Sequence, residues 1–464
     1  MNTKLIFAGA LALAFFALVA GPKPQPQPQP QPQPLTVPLA VTAPPPVASV
    51  SNGSLSLSAH LASRYAANGG AANYLTVEVR GGGAPGVKER PPVNLVAVID
   101  RSGSMSGEKL LRAKEAVLHL ISQLHEKDRL GLVCYGSGVQ VFEGREGTPA
   151  NKAAMTAFIA DIQDAGGTNI GEGLLAAARL LGAPGAYRAS RIILLSDGQP
   201  TEGLTETGQL EQLVSGIRDQ GATVSALGVG DDYSEVLMAG LAKSGGGFFG
   251  DLRDTSRLAE VFGREFDQAA QLVAREVEVS FEVPEGVRVE ELLGHSLEQQ
   301  GTTVRARLYD FSAGLVGRVV ARISVGCPER DAAVELGKVR LSYRDLVADR
   351  RVSSEVIFGA QVTSDPKLAL LHADPELLAH AARAEGAKQE LLAAAHFREG
   401  RQEEGIAALK SAARALRDLF GNAAEGISSE MEQDATEART RTTVLSAKRL
   451  ERKRLADSGG NNSY

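Results

Sequence analysis

Hydrophobic positions along the chain follow three regimes. In the middle, largely apolar runs recur at 93–99, 130–135 and 192–195, the first of them rich in β-branched residues. The first runs directly into Asp100 and the third reaches Asp197 after one serine. Runs without polar alternation are what strands buried on both faces of a parallel sheet require. Helical patterns lie between them. Over 108–125, Leu110, Ala113, Val117, Ile121 and Leu124 form one apolar stripe, and a second helix opens after Gly166-Gly167.

On both sides of this region the period becomes two. Segments 54–60 and 74–80 alternate, and so do 277–283, 287–293, 303–309, 316–325, 333–342 and 352–358. Such alternation predicts half-buried antiparallel strands. The early strands are too few to bury a face by themselves. The expectation is therefore one β-sandwich built from strands on both sides, with the central α/β unit inserted between them. Beyond residue 363 the pattern turns helical: Asp365-Pro366 and Asp374-Pro375 each read as an N-cap followed by Pro at the first helical position, and Gly400 and Gly421 read as stops. Residues 382–416 resemble a tetratricopeptide hairpin, and a single unit of that kind reads as a packing or docking module. The predicted fold class is α/β: a doubly wound, mostly parallel sheet inserted in a β-sandwich and followed by a C-terminal α-helical hairpin.

The N-terminus carries Lys4, an apolar run over 5–20 and small residues around Ala20, the pattern of a cleaved secretory leader. Pro-Gln repeats follow over 22–34, a composition that favours extended polyproline II at roughly 3 Å per residue. The expected segments are a leader over 1–20, a Pro-Gln-rich linker over 21–50, sandwich strands over 51–91, the α/β domain over 92–270, further sandwich over 271–363, a helical region over 364–456 and a disordered tail over 457–464. Lys448, Arg449, Arg452, Lys453 and Arg454 read as a solvated helix end.

Composition narrows the function. A formal net charge of -6 and the absence of Trp exclude a basic or base-stacking nucleic-acid binder. Two cysteines, Cys134 and Cys327, fall in separate expected domains and read as small hydrophobes rather than a disulfide. The chain has no phosphate-binding G-x-x-x-x-G-K-[ST] loop, no H-E-x-x-H and no G-x-S-x-G, and its seven histidines lack metal-ligand or triad spacing.

The chemistry lies at the strand ends. Asp100, Ser102 and Ser104 are spaced D-x-S-x-S, Thr168 stands at the opening of a helix, and Asp197 heads Ser196-Asp197-Gly198-Gln199-Pro200-Thr201. All are hard oxygen donors, delivered where open α/β sheets bind ligands. The alternative is a helix-capping loop, for which Ser104 and Ser106 are suitable residues. The three segments, in this order, resemble the metal-ion-dependent adhesion site of the von Willebrand factor type A family, over residues 92–270 and at all five ligand positions. Exported proteins similar to the inter-α-trypsin inhibitor heavy chains share the inserted layout. The resemblance implies a Mg2+ site, with Mn2+ or Ca2+ as alternatives, held by Asp100, Ser102, Ser104, Thr168 and Asp197. It also implies a protein partner whose Asp or Glu carboxylate completes the shell. Three neutral hydroxyls among five ligands leave the ion only partly neutralised, which suits an incoming carboxylate.

The expected protein is thus an exported, non-enzymatic Mg2+-dependent adhesion or scaffold module of the periplasm or cell surface. It would contact no nucleic acid, and it would touch membrane only through an uncleaved leader. Two other classes are a cell-envelope assembly factor whose sandwich and helices make the contacts around a regulatory metal, and a metal-assisted hydrolase, for which the motif itself supplies no general base.

Overall fold

The computed structural model describes residues 47–69, 72–83, 90–182, 187–295, 298–326 and 333–458. The expected leader, the linker up to residue 46, Cys327 and the tail from residue 459 lie outside the described residues.

The central sheet has six strands in the order Gly246–Leu252, Thr223–Val229, Ala189–Ser196, Val93–Asp100, Arg129–Tyr135 and Val139–Glu146. The first five run parallel; the last is antiparallel and joined to its neighbour by a tight turn. The apolar run at 93–99 serves two cores at once. Leu95, Ala97 and Ile99 point into the core under helices Glu108–Gln123, Pro149–Asp161 and Leu258–Ala270. Val96 and Val98 point into the core under helices Ile170–Leu180, Thr207–Asp219 and Glu235–Gly245. Because successive side chains of a strand face opposite ways, a run apolar at nearly every position is the signature of this doubly covered sheet. Ile99 pairs with Leu195, so Asp100 and Ser196 leave the sheet side by side on one rim.

The flanking strands form two facing sheets around a shared core, antiparallel throughout except that Tyr65–Ala67 pairs parallel with Arg350–Thr363. In one, the order is Val47–Asn52, Leu55–Leu61, Asn73–Gly81, Val316–Val325 and Val287–Leu293. Strands preceding the central domain thus pair with strands following it, Thr76 opposite Val320. In the other, Glu298–Gln300, Thr303–Arg307, Leu272–Glu282, Ala333–Asp345, Arg350–Thr363 and Tyr65–Ala67 follow in order, with Phe311–Ser312 added beside Leu272–Glu282. The first strand starts at Val47, inside the span expected as linker. The last proline of that span is Pro46, and beyond it the backbone can donate to a ladder.

The helical region is larger than a hairpin. Helices Pro375–Arg398 and Gln402–Phe420 form the expected pair, and Glu425–Glu437 and Thr443–Ser458 extend it to a bundle. Asp365 and Asp374 cap their helices as expected, Asp374 accepting from the backbone N–H groups of Glu376 and Leu377. Gly405 sits where an added Cβ would lie 2.7 Å from the Phe397 ring, so small residues set the close approach of the pair. Tyr74, Leu293 and Val320, on the outer face of the five-stranded sheet, join the bundle core, with the Tyr74 and Phe420 rings 5.2 Å apart. Within the basic run of the last helix, Arg449 and Lys453 are not solvated ends but are paired with acids of the bundle. Arg449 Nε lies 2.6 Å from the buried Asp434, and Lys453 Nζ lies 2.9 Å from Glu390 and 3.0 Å from Glu430.

Candidate metal centre

Asp100 is 0% exposed at the C-terminal end of its strand. Its Oδ1 accepts from the Ser102 backbone N–H at 2.8 Å, and its Oδ2 accepts from Ser196 Oγ at 2.7 Å and Tyr135 OH at 3.3 Å. The chain turns at once, so Ser102 Oγ and Ser104 Oγ stand 3.1 Å apart. Ser104 Oγ donates to Asp197 Oδ1 at 2.7 Å, which joins the first and third segments across 93 residues of sequence. Asp197 is also 0% exposed, and its Oδ2 accepts from Lys109 Nζ at 2.6 Å.

Thr168 enters from the second segment. A Cβ added at Gly198 would lie 3.7 Å from both Ser104 Oγ and Thr168 Oγ1, so these hydroxyls face one point beside Gly198. Backbone bonds hold the three segments together: Gly103 N–H to Gly166 O, Ala165 N–H to Arg101 O and Thr201 N–H to Thr168 O. Gly166 has a φ of 77°, and a Cβ there would also meet Ser137 Oγ at 2.6 Å. Only glycine meets both conditions at little cost.

The capping alternative does not describe this loop. The N-cap of helix Glu108–Gln123 is Gly107, with no side-chain cap, and the N-cap of helix Ile170–Leu180 is Asn169, which accepts from the Glu172 N–H at 3.1 Å. None of the four hydroxyls of Ser102, Ser104, Ser106 and Thr168 caps either helix.

The electrostatics are those of a site short of positive charge. Burial pushes the Asp100 carboxyl above the usual carboxylate range, with Asp197 adding to the rise and hydrogen bonds from Ser102 and Ser196 opposing it. Among the described residues no cationic group bonds Asp100 directly. Burial likewise drives the Tyr135 phenol well above its ordinary range, so it stays a neutral donor to Asp100. Among the described residues no group of three or more His, Cys, Asp or Glu side chains could hold a metal. A metal centre here would therefore rely on hydroxyls. Two buried carboxylates and three hydroxyls, with one carboxylate already drawing an ammonium group to itself, fit a hard divalent cation.

Sequence reasoning missed Lys109, Ser196, Tyr135 and Asn169. Ser196 had a local signal, as neighbour of the expected ligand on the adjoining strand end. Lys109 and Tyr135 act through the packing of one element on another and had none.

The family model of the von Willebrand factor type A domain matches residues 94–264. Inter-alpha-trypsin inhibitor heavy chain H1 of Sus scrofa is 33% identical over 197 residues, which are 40% of this chain and 22% of that protein. This chain thus spans well under half of that relative. Among solved structures, the von Willebrand factor type A protein from Catenulispora acidiphila superposes with a TM-score of 0.65 at 19% identity, covering 83% of this chain and 89% of that one. The ArnB paralog VWA2 from Sulfolobus acidocaldarius superposes with a TM-score of 0.52 at 16% identity, covering 88% of this chain and 97% of that one. At these identities the likeness is one of fold, and it extends over the flanking sheets and helices as well as the central domain.

Proposed function

We propose, from the premise that residues 94–264 are a von Willebrand factor type A domain, that this chain is a Mg2+-dependent protein-binding module. The family is one of protein-interaction and adhesion modules that are often metal-dependent. The reading that the binding runs through a metal rests chiefly on one observation. Two buried carboxylates and two serine hydroxyls are linked by hydrogen bonds, Thr168 faces the same point, and the helix caps are supplied by other residues.

Asp100, Ser102, Ser104, Thr168 and Asp197 would hold the ion. When bound, Mg2+ supplies Lewis acidity toward an anionic oxygen and prefers to keep several oxygen ligands from outside the protein cage. The protein's own contribution is orientation. Ser196 and Tyr135 hold the Asp100 carboxylate in place, and the backbone bonds among the three segments fix the spacing of the hydroxyls. A partner's Asp or Glu carboxylate is the matching ligand, since a cation balanced by two carboxylates and three neutral hydroxyls retains affinity for negative charge. Export to the periplasm or cell surface follows from the leader-like residues 1–20. None of the described helices is long and apolar enough to cross a membrane.

The test is thermal. A ligand that binds only the native state stabilises it by about RT ln(1 + [L]/Kd). Millimolar Mg2+ should raise the melting temperature of the wild type and leave Asp100→Ala unmoved. Equal responses of the two proteins to the ion would remove the site from these residues. If pull-down of an envelope partner proved indifferent to chelator, the function would pass to the sandwich and bundle as a scaffold.

A further inference from the structure

Lys109 lies outside the five expected ligands, yet its ammonium group is 2.6 Å from Asp197 Oδ2, with the lysine side chain 25% exposed and the aspartate fully buried. The other oxygen of Asp197 accepts from Ser104. Both oxygens of this carboxylate are therefore engaged inside the protein, one of them by a group that can never ligate a cation. A second seat for the ammonium is close by. Asp232 Oδ2 lies 4.0 Å from Lys109 Nζ, and that side chain is 81% exposed. Gly230, with a φ of 76°, packs against the end of this lysine: an added Cβ would lie 3.2 Å from Lys109 Cε and 3.4 Å from Lys109 Nζ. A side chain at 230 would crowd the ammonium end of Lys109. The loop carrying Asp232 is held by Lys448 of the last helix, which donates to the backbone carbonyls of Asp231 and Tyr233.

We propose that Lys109 is the resident counterion of Asp197 in the metal-free protein, and that a divalent cation must displace it toward Asp232 to enter. The inference rests on the metal reading above. A buried carboxylate without a cation is costly, and Lys109 removes that cost when no metal is present. The same contact opposes the metal, because two positive charges a few ångströms apart in a poorly hydrated pocket repel strongly. The lysine thus sets a threshold. A monovalent ion gains too little at the site to expel an ammonium already there, whereas a divalent ion brings twice the charge to both carboxylates. Once displaced, Lys109 stands on the rim beside Asp232, next to where a partner's carboxylate would arrive.

The experiment uses the full chain freed of metal. First, Lys109 acetylation by an amine-reactive ester is followed by mass spectrometry in the wild type, with and without saturating Mg2+. Labelling should be slow without the ion and at least severalfold faster with it. Second, Mg2+ and Mn2+ are titrated calorimetrically into the wild type, Lys109→Met and Lys109→Arg. Lys109→Met should bind each ion at least tenfold more tightly and melt at a lower temperature when metal-free, whereas Lys109→Arg should bind no more tightly than the wild type. Wild-type labelling that does not change while calorimetry records binding would overturn the role of Lys109 and leave the metal site standing. So would equal affinities for wild type and Lys109→Met. No binding by any of the three proteins would overturn both readings together. Should Lys109→Met fail to fold, the wild-type labelling decides alone.

Discussion

Ser196 Oγ donates to Asp100 Oδ2 at 2.7 Å, so the residue before one expected ligand orients another that lies 96 positions away in sequence. Both partners are fully buried, and Ser196 is not among the proposed ligands. Ser196→Ala should lower stability in urea by about 1–3 kcal/mol, the usual cost of leaving a buried acceptor short of a donor. It should also weaken Mg2+ binding by about 10- to 100-fold, as loss of a group that orients a metal ligand does. Calorimetric titration together with urea unfolding measures both. A loss of stability with unchanged affinity would show that Asp100 needs no help from Ser196.

Thr168 and Asn169 are neighbours with separate tasks. Asn169 caps the helix, so Asn169→Ala should cost about 1 kcal/mol of stability and leave Mg2+-dependent capture of a partner intact. Thr168 makes no cap. Thr168→Ala should therefore lose less stability than Asn169→Ala yet abolish metal-dependent capture, and Thr168→Ser should behave as the wild type. Denaturant unfolding beside a pull-down with Mg2+ and with chelator separates the two positions.

Asp345 ties the start of the sandwich to its longest hairpin. Its carboxylate accepts from Ser54 N–H at 2.7 Å, Ser54 Oγ at 2.9 Å, Val347 N–H at 2.8 Å and Ala348 N–H at 2.9 Å. Burial pushes its titration up, but these bonds outweigh it and hold the group below the usual carboxylate range. A depressed carboxylate contributes stability above the unfolded value of about 3.9 and loses it as pH falls through the lower folded value. Asp345→Asn should cost about 2–4 kcal/mol near neutral pH, and its stability should fall less steeply between about pH 4 and pH 2 than that of the wild type. Urea unfolding across that range is the measurement.

Asp310 links the central domain to the sandwich. It accepts from Thr223 Oγ1 at 2.6 Å, and Arg275 Nε lies 3.4 Å from it, while Arg218 donates to the neighbouring Leu308 carbonyl at 2.9 Å. The carboxylate is almost fully buried, so removing it strands two arginines and a hydroxyl at the junction. Asp310→Ala should split one calorimetric unfolding transition into two, or broaden it, with the early component belonging to one of the two units. A single transition shifted as a whole would show that the apolar contact between them suffices for cooperativity.

Local pattern carried a large part of this protein. The continuous apolar runs ending at Asp100 and Asp197, and the alternation on either side, announced a doubly covered sheet between halves of a sandwich, because burial on two faces or on one imposes a different period on the sequence. The Asp-Pro pairs at 365 and 374 announced helix starts, because capping depends on adjacent residues. Tertiary structure decided the rest. Thr168 and Asn169 are both good capping residues, and only the fold of Ile170–Leu180 against the loop at 198–201 assigns the cap to Asn169. Lys109 reads as one more charged residue in a first helical turn until the parallel register of the strands at Asp100 and Ser196 brings Asp197 beneath it. Arg449 and Lys453 of the last helix read as solvated until packing of the bundle sets Asp434 and Glu390 beside them. In each case the deciding partner lies on another element, between 15 and 88 residues away in sequence, at a distance set by how elements stack, and no periodicity within one element encodes that.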